Sequence, residues 1–140
     1  RDGMIRRALI GHTGFVGSNL DAALPFMHRF NSVNSSAMSG ERFDEIVCSG
    51  ISAVKWLANR EPEQDWKSIK RLLDVLEKVS ARRFVLISTI DVYPDPSIPL
   101  TEDTSLEGLP NHAYGRHRLA AERWVAERYK DHLVVRLPAL

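Results

Sequence analysis

The chain has 140 residues, enough for one domain around a single core and too few for two ordinary ones. Hydrophobic residues at 44%, charged residues at 26%, and only 7 prolines and 8 glycines exclude a disordered or fibrous chain. A formal net charge of +1 offers no basic surface for nucleic acid or acidic lipid, and no apolar run approaches the roughly 20 residues of a membrane span.

The first residues lack a signal-peptide pattern, and Arg1 to Gly3 ahead of Met4 read as a short remnant before a natural start. Ala8-Leu9-Ile10 is a short apolar run that stops at Gly11, and Val16, Leu20, Ala23 and Leu24 follow at helical spacing. This predicts strand, glycine turn, helix. Pro25 ends the helix, and Phe30 to Val33 are expected as a short second strand before a polar loop from Asn34 to Arg42. Glu45 to Cys48 form the next expected strand. Cys48, the single cysteine, sits in an apolar run as a small buried hydrophobe would, so no internal disulfide is expected and a reducing cytoplasm fits.

Ala53, Val54, Leu57 and Ala58 suggest a short helix. Glu61-Pro62-Glu63 then opens a longer one, since proline is tolerated in a first turn and acids favour the positive end of the dipole. Trp66, Ile69, Leu72, Leu73, Leu76 and Val79 make its apolar stripe, while Lys67, Lys70, Arg71, Asp74 and Lys78 make a solvated face. Phe84 to Ile87 are continuously apolar, as expected of a strand covered on both faces. Asp95 to Gly108 are polar and turn-rich, Tyr114 to about Tyr129 are helical, and Leu133 to Val135 form a last strand. Strands alternating with helices predict an α/β fold, a Rossmann-type doubly wound parallel sheet of about five strands spanning residues 1–140 as one domain.

The segment Gly11-His12-Thr13-Gly14-Phe15-Val16-Gly17 lies between the first strand and the first helix. There Gly11 permits a tight turn, Gly14 lets backbone approach a pyrophosphate, and Gly17 lets helix and strand pack closely. The open amides of Thr13, Gly14, Phe15 and Val16 at the helix start then suit phosphate oxygens. A nucleoside triphosphate loop needs Gly-Lys-Ser/Thr, and Gly17 is followed by Ser18-Asn19. A methyltransferase is the weaker alternative on the same sheet. Sites that prefer NAD carry an acid about 20 residues beyond the glycines. Here Val33-Asn34-Ser35-Ser36 has none. Asn34 and Ser35 are therefore the expected ribose contacts, Arg42 is the nearest downstream cation, and NADP(H) is expected to bind at least as well as NAD(H).

The loop spacing resembles the extended short-chain dehydrogenase/reductase family, the NAD-dependent epimerase/dehydratases. Phe84-Val85-Leu86-Ile87-Ser88-Thr89-Ile90-Asp91-Val92-Tyr93 is similar to that family's strand ending in Ser/Thr shortly before Val-Tyr. Tyr114-Gly115-Arg116-His117-Arg118 resembles its Tyr-x-x-x-Lys signature with arginine in place of lysine. Leu119 to Glu122 and Val135 to Pro138 are similar to the helix and strand that follow.

The resemblance implies NAD or NADP as cofactor and a nucleotide-linked sugar or similar carbonyl compound as substrate. It implies Tyr114 as general acid or base, Thr89 as the hydroxyl that orients the substrate oxygen, and Arg118 as the charge beside the tyrosine. A tyrosine of ordinary pKa near 10 needs such a charge at neutral pH. The Asn34–Arg42 loop is short for the family, as if a helix and strand were missing. Relatives continue past Arg-Leu-Pro into a substrate-binding region lacking here, so the chain is expected to be the N-terminal part of a longer enzyme.

Asp91 reads as a turn cap or a dehydratase-type acid. His12 reads as loop packing or a cofactor contact, and His112 and His117 make no metal pattern. A soluble cytoplasmic protein is expected, binding neither nucleic acid nor membrane, with a homodimer left open. The rival from another class is a non-catalytic NAD(P)-binding sensor or scaffold module.

Overall fold

The computed structural model describes residues 5–26, 28–51, 54–94, 101, 110 and 112–138. Its elements run β1 (Arg7–Ile10), α1 (Phe15–Ala23), β2 (His28–Phe30), a 3-10 turn (Ser35–Met38), β3 (Arg42–Cys48), α2 (Lys55–Arg60) and α3 (Pro62–Leu76). Then come β4 (Ser80–Thr89), a second 3-10 turn (Ile90–Val92), α4 (Ala113–Arg128) and β5 (His132–Leu137). The turn-rich stretch expected over Asp95 to Gly108 and the Ala53 start of the short helix lie largely outside the described residues.

All five strands are parallel, in the order β2-β1-β3-β4-β5. Side chains alternate across each strand, and the two faces separate accordingly. Ala8, Ile10, Ile46, Cys48, Phe84 and Leu86 pack under α3, α4 and the first 3-10 turn. Leu9 and Val47, joined by Val85 and Ile87, face the other way with Leu20 of α1 and Phe26. Helices thus lie on both faces, α3 and α4 on one and α1 on the other, and Val85 and Ile87 of β4 stay only partly buried on the α1 side. Beyond α1 that second face opens, and Leu133 on the outer strand is 45% exposed.

Ile69, Leu72, Leu73 and Leu76 of the expected stripe are buried on α3, but the helix ends at Leu76, so Val79 is buried from the segment that follows it. On α4, Tyr129 just past the helix end stacks on Phe84 at 4.6 Å between centroids and donates its hydroxyl to the Val79 carbonyl at 2.9 Å. Burial pushes that phenol up to about 12 and the Cys48 thiol up to about 11, so neither ionises near neutrality.

The second strand differs from the expectation. It ends at Phe30 because Asn31 turns the chain: its side-chain oxygen accepts the amides of Val33 and Asn34, and the Asn34 side chain accepts the Asn31 amide in return. Val33 is consequently 88% exposed. The loop that follows contains no strand, only the 3-10 turn, which buries Met38 against the α3 face. Among the described residues, no helix is long and apolar enough to cross a membrane.

Candidate functional site

In a parallel sheet the strands all end at one edge, and ligands collect where the strand order reverses. That point lies between β1 and β3, since the chain moves outward from β1 to β2 and then returns to β3. The glycine loop sits on this edge. Gly11 takes φ +88°, a conformation that other residues rarely adopt, and its amide donates to the Phe30 carbonyl at 2.7 Å. A Cβ on Gly17 would fall 1.8 Å from the Gly11 carbonyl oxygen, so the start of α1 lies directly on the turn. Gly14 is different. A Cβ there would meet nothing nearer than 3.6 Å, so the fold itself does not demand glycine. No side chain caps α1 and no acid occupies its first turn, leaving its amides and dipole open to an anion.

Two cavities flank the loop. The smaller, about 230 Å³, is lined by Gly11, Thr13 and Gly14 together with Asn31, Ser32, Ser35, Ser49 and residues of α3. The larger, about 640 Å³, opens over the ends of β4 and β5 and is reached by Val16 of α1. It brings together all three residues expected to be catalytic: Thr89, Tyr114 and Arg118. Of the expected cofactor contacts, Gly11, Thr13, Gly14 and Ser35 line the smaller cavity and Val16 the larger. Phe15 exposes its ring at the helix start, and Gly17 is buried beneath the turn. Asn34 is occupied by its own turn, with its side-chain amide donating to the Arg29 carbonyl. Arg42 corrects the expectation: as the first residue of β3 it lies at the strands' opposite edge, beside Ser80.

Arg118 is 2% exposed, and its hydrogen bonds turn inward. Nη1 and Nη2 donate to the two carboxylate oxygens of Asp65 at 2.5 and 2.9 Å, while Nε and Nη2 donate to the Ile51 carbonyl at 3.1 and 2.7 Å. A longer bond runs from Nη1 to the Tyr114 carbonyl at 3.5 Å. The guanidinium carbon lies 4.2 Å from the centre of the Tyr114 ring, a cation–π arrangement that fixes the ring from one face. His117 Nδ1 bonds the same Asp65 carboxylate at 2.7 Å, and its ring packs against Trp66. Burial pushes the Asp65 carboxyl up, but the hydrogen bonds and charges of Arg118 and His117 outweigh it and hold the group below the usual carboxylate range.

The pocket's exposed cation is a residue the sequence reading passed over. Lys55, at the start of α2, is 44% exposed and places Nζ 2.7 Å from Oδ1 of the buried Asp91. Asp91 Oδ2 accepts the Thr89 hydroxyl at 3.1 Å, and the Asp91 amide donates back to Thr89 Oγ1. The turn is thus capped by Thr89, and Asp91 is the buried carboxylate that Lys55 and the Thr89 hydroxyl hold in the pocket. Asn59 of α2 accepts the Tyr114 amide at 2.9 Å and anchors the start of α4. His112 caps α4 by accepting the Gly115 amide on Nδ1. Burial holds its imidazole below the ordinary range, with the Lys55 charge adding to the effect and Asp91 opposing it. His12 bonds the Phe30 carbonyl and serves loop packing. Among the described residues no cluster of His, Cys, Asp or Glu could hold a metal ion.

A second buried network braces β4, α4 and β5. Ser88 donates to Glu122 at 2.6 Å, Arg136 reaches the same carboxylate at 2.8 Å, and Arg136 also donates to the Tyr93 hydroxyl at 3.0 Å.

Residues 26–138 match the profile of the NAD dependent epimerase/dehydratase family; the glycine loop precedes the matched span. A search among curated protein sequences gave no match. Among solved structures, the dTDP-4-dehydrorhamnose reductase of Bacillus anthracis in complex with NADP aligns at TM-score 0.74 and 18% identity over 99% of this chain and 55% of its own. The UDP-Glc/GlcNAc 4-epimerase of Campylobacter jejuni aligns at TM-score 0.71 and 18% identity over 95% and 53%. A short-chain dehydrogenase/reductase superfamily protein of Agrobacterium tumefaciens with bound NAD aligns at TM-score 0.65 and 25% identity over 94% and 48%. The chain thus spans about half the length of each of these proteins.

Proposed function

Because the chain belongs to the NAD dependent epimerase/dehydratase family, we propose that it is the dinucleotide-binding part of a longer enzyme that oxidises, reduces, epimerises or dehydrates a nucleotide-linked sugar or similar carbonyl compound. The observation that carries this reading is the placing of Thr89 and Tyr114 in one cavity reached by the first turn of the glycine-loop helix. The uncapped start of α1 and the free space at Gly14 fit a pyrophosphate between the two cavities. The adenosine end then takes the smaller cavity and the nicotinamide end the larger. When bound, the nicotinamide supplies or accepts the hydride.

The chain's own residues handle the proton. Tyr114 gives its hydroxyl proton to the substrate oxygen, or removes one from it, as that carbon changes oxidation level. Thr89 orients the same oxygen. To do so its hydroxyl turns away from Asp91, whose charge stays paired with Lys55 throughout. Arg118 acts from behind the tyrosine ring and, with its donors committed to Asp65 and Ile51, works as a positioning residue.

That inward commitment also favours a second reading, a module that binds dinucleotide without catalysis. Titrating NADH and NADPH into this chain, then measuring turnover of nucleotide-sugar substrates by the longer enzyme, separates the two. Binding with turnover supports the enzyme, binding without turnover supports the module, and absence of binding contradicts both.

A further inference from the structure

On sequence alone Arg71 belongs to the solvated face of α3. Its neighbour Lys70 fits that description, pairing with Asp74 at 2.6 Å. Arg71 is exposed as well, but it shares a turn face with Ser68 and Leu72 and lines the smaller cavity together with Gly11, Asn31 and Ser32. Only a 3-10 turn separates β2 from β3, that turn packs on α3, and residues after β2 and residues of α3 line one cavity. Arg71 has no ion pair among the described residues. Among the described residues no aspartate or glutamate lines the cavity either.

An acid at the end of the second strand would hold two ribose hydroxyls and repel a phosphate on either. The chain leaves the last residue of β2, Phe30, through Asn31 and Ser32, both uncharged. The same cavity is lined by Arg71, whose planar guanidinium fork can bind a phosphate dianion through two parallel N–H bonds. We infer that Arg71 is the residue that recognises the 2′-phosphate of the cofactor, and that the cleft selects NADP(H) over NAD(H). Ser32 supplies a hydroxyl donor to the same phosphate. The inference rests on the reading of this cavity as the adenosine end of the dinucleotide site, and it replaces Arg42, which lies at the opposite edge of the sheet.

The test is a fluorescence titration of NADPH and NADH into this 140-residue chain and into Arg71→Ala, Arg71→Gln and Arg42→Ala, at one low salt concentration. Circular dichroism confirms that each variant is folded. The wild type should bind NADPH at least about tenfold more tightly than NADH. Both Arg71 variants should lose that margin by weakening NADPH alone, and Arg42→Ala should change neither Kd. The compound 2′,5′-ADP should displace NADPH from the wild type and compete poorly in the Arg71 variants. Equal weakening of both coenzymes by Arg71→Ala would mean that the side chain stacks on adenine, and would overturn the inference while leaving the dinucleotide site intact. Equal wild-type affinities would overturn it as well. Failure of the wild type to bind either coenzyme would remove the dinucleotide site and this inference together.

Discussion

The two cavities on the sheet edge are neighbours built from different material. The smaller gathers glycines and mostly short side chains from the loop after β1, the residues after β2 and β3, and α3, and in its loop Gly11 and Gly17 allow close approach while Gly14 leaves room. The larger is assembled by side chains distant in sequence: Arg118 of α4 locks onto Asp65 of α3, and Lys55 of α2 onto Asp91 after β4. A site lined mostly by backbone and short side chains takes its shape from the loops themselves. A site made from long-range ion pairs couples its geometry to the stability of the whole domain.

The largest difference should appear in the chemistry. Tyr114→Phe keeps the ring over Arg118 and the backbone bond to Asn59, so only the hydroxyl is lost. In the longer enzyme we expect kcat to fall by about 10²–10⁴-fold with coenzyme Kd unchanged. Steady-state kinetics beside a binding titration would check this, and near-normal turnover would remove Tyr114 as the acid/base.

Breaking the pair beneath it should act on folding. Arg118→Met strands Asp65 without its main partner and should cost about 3–5 kcal/mol in denaturant unfolding. Replacing both residues with apolar ones should recover much of that loss, because breaking a buried pair costs more than substituting it. The pair also predicts an acid-sensitive limb. The folded Asp65 carboxyl lies below its ordinary value of 3.8, so its stabilising contribution is complete above that value and drains away as pH falls through the lower folded one. Asp65→Asn should flatten this part of the stability profile; an unchanged acid limb would mean that the pair is not the source.

Lys55→Met should be milder. Lys55 is half exposed, and solvent already screens its attraction for Asp91, so a loss on the order of 1 kcal/mol is expected. Thermal unfolding would show a drop in Tm well short of that for Arg118→Met, and an equal drop would contradict the distinction drawn between the two pairs.

The same contrast explains what could be read in advance. The glycine loop, the α3 stripe and the apolar run of β4 are local patterns of turn chemistry and periodicity, and they fold as those patterns direct. Phe30 to Val33 mislead because they end in an apolar residue, while the side chain of Asn31 closes a turn that no hydrophobic count registers. Asp65 carried a signal that was available: it continues the Ile69–Leu72–Leu76 face back toward the helix start, and a carboxylate on an apolar face demands a partner. The identity of that partner, Arg118, depends on how α3 and α4 dock. Arg42 could have been placed from topology, since the first residue of a parallel strand lies at the edge away from the site.

The central claim is that the glycine loop holds a dinucleotide, and Gly14 tests it most directly because the protein itself leaves space there. Gly14→Val should unfold at nearly the wild-type denaturant midpoint yet show no measurable binding of NADH or NADPH by fluorescence titration, because its side chain occupies the path of the pyrophosphate. A folded Gly14→Val chain that binds either coenzyme with wild-type affinity would contradict the account.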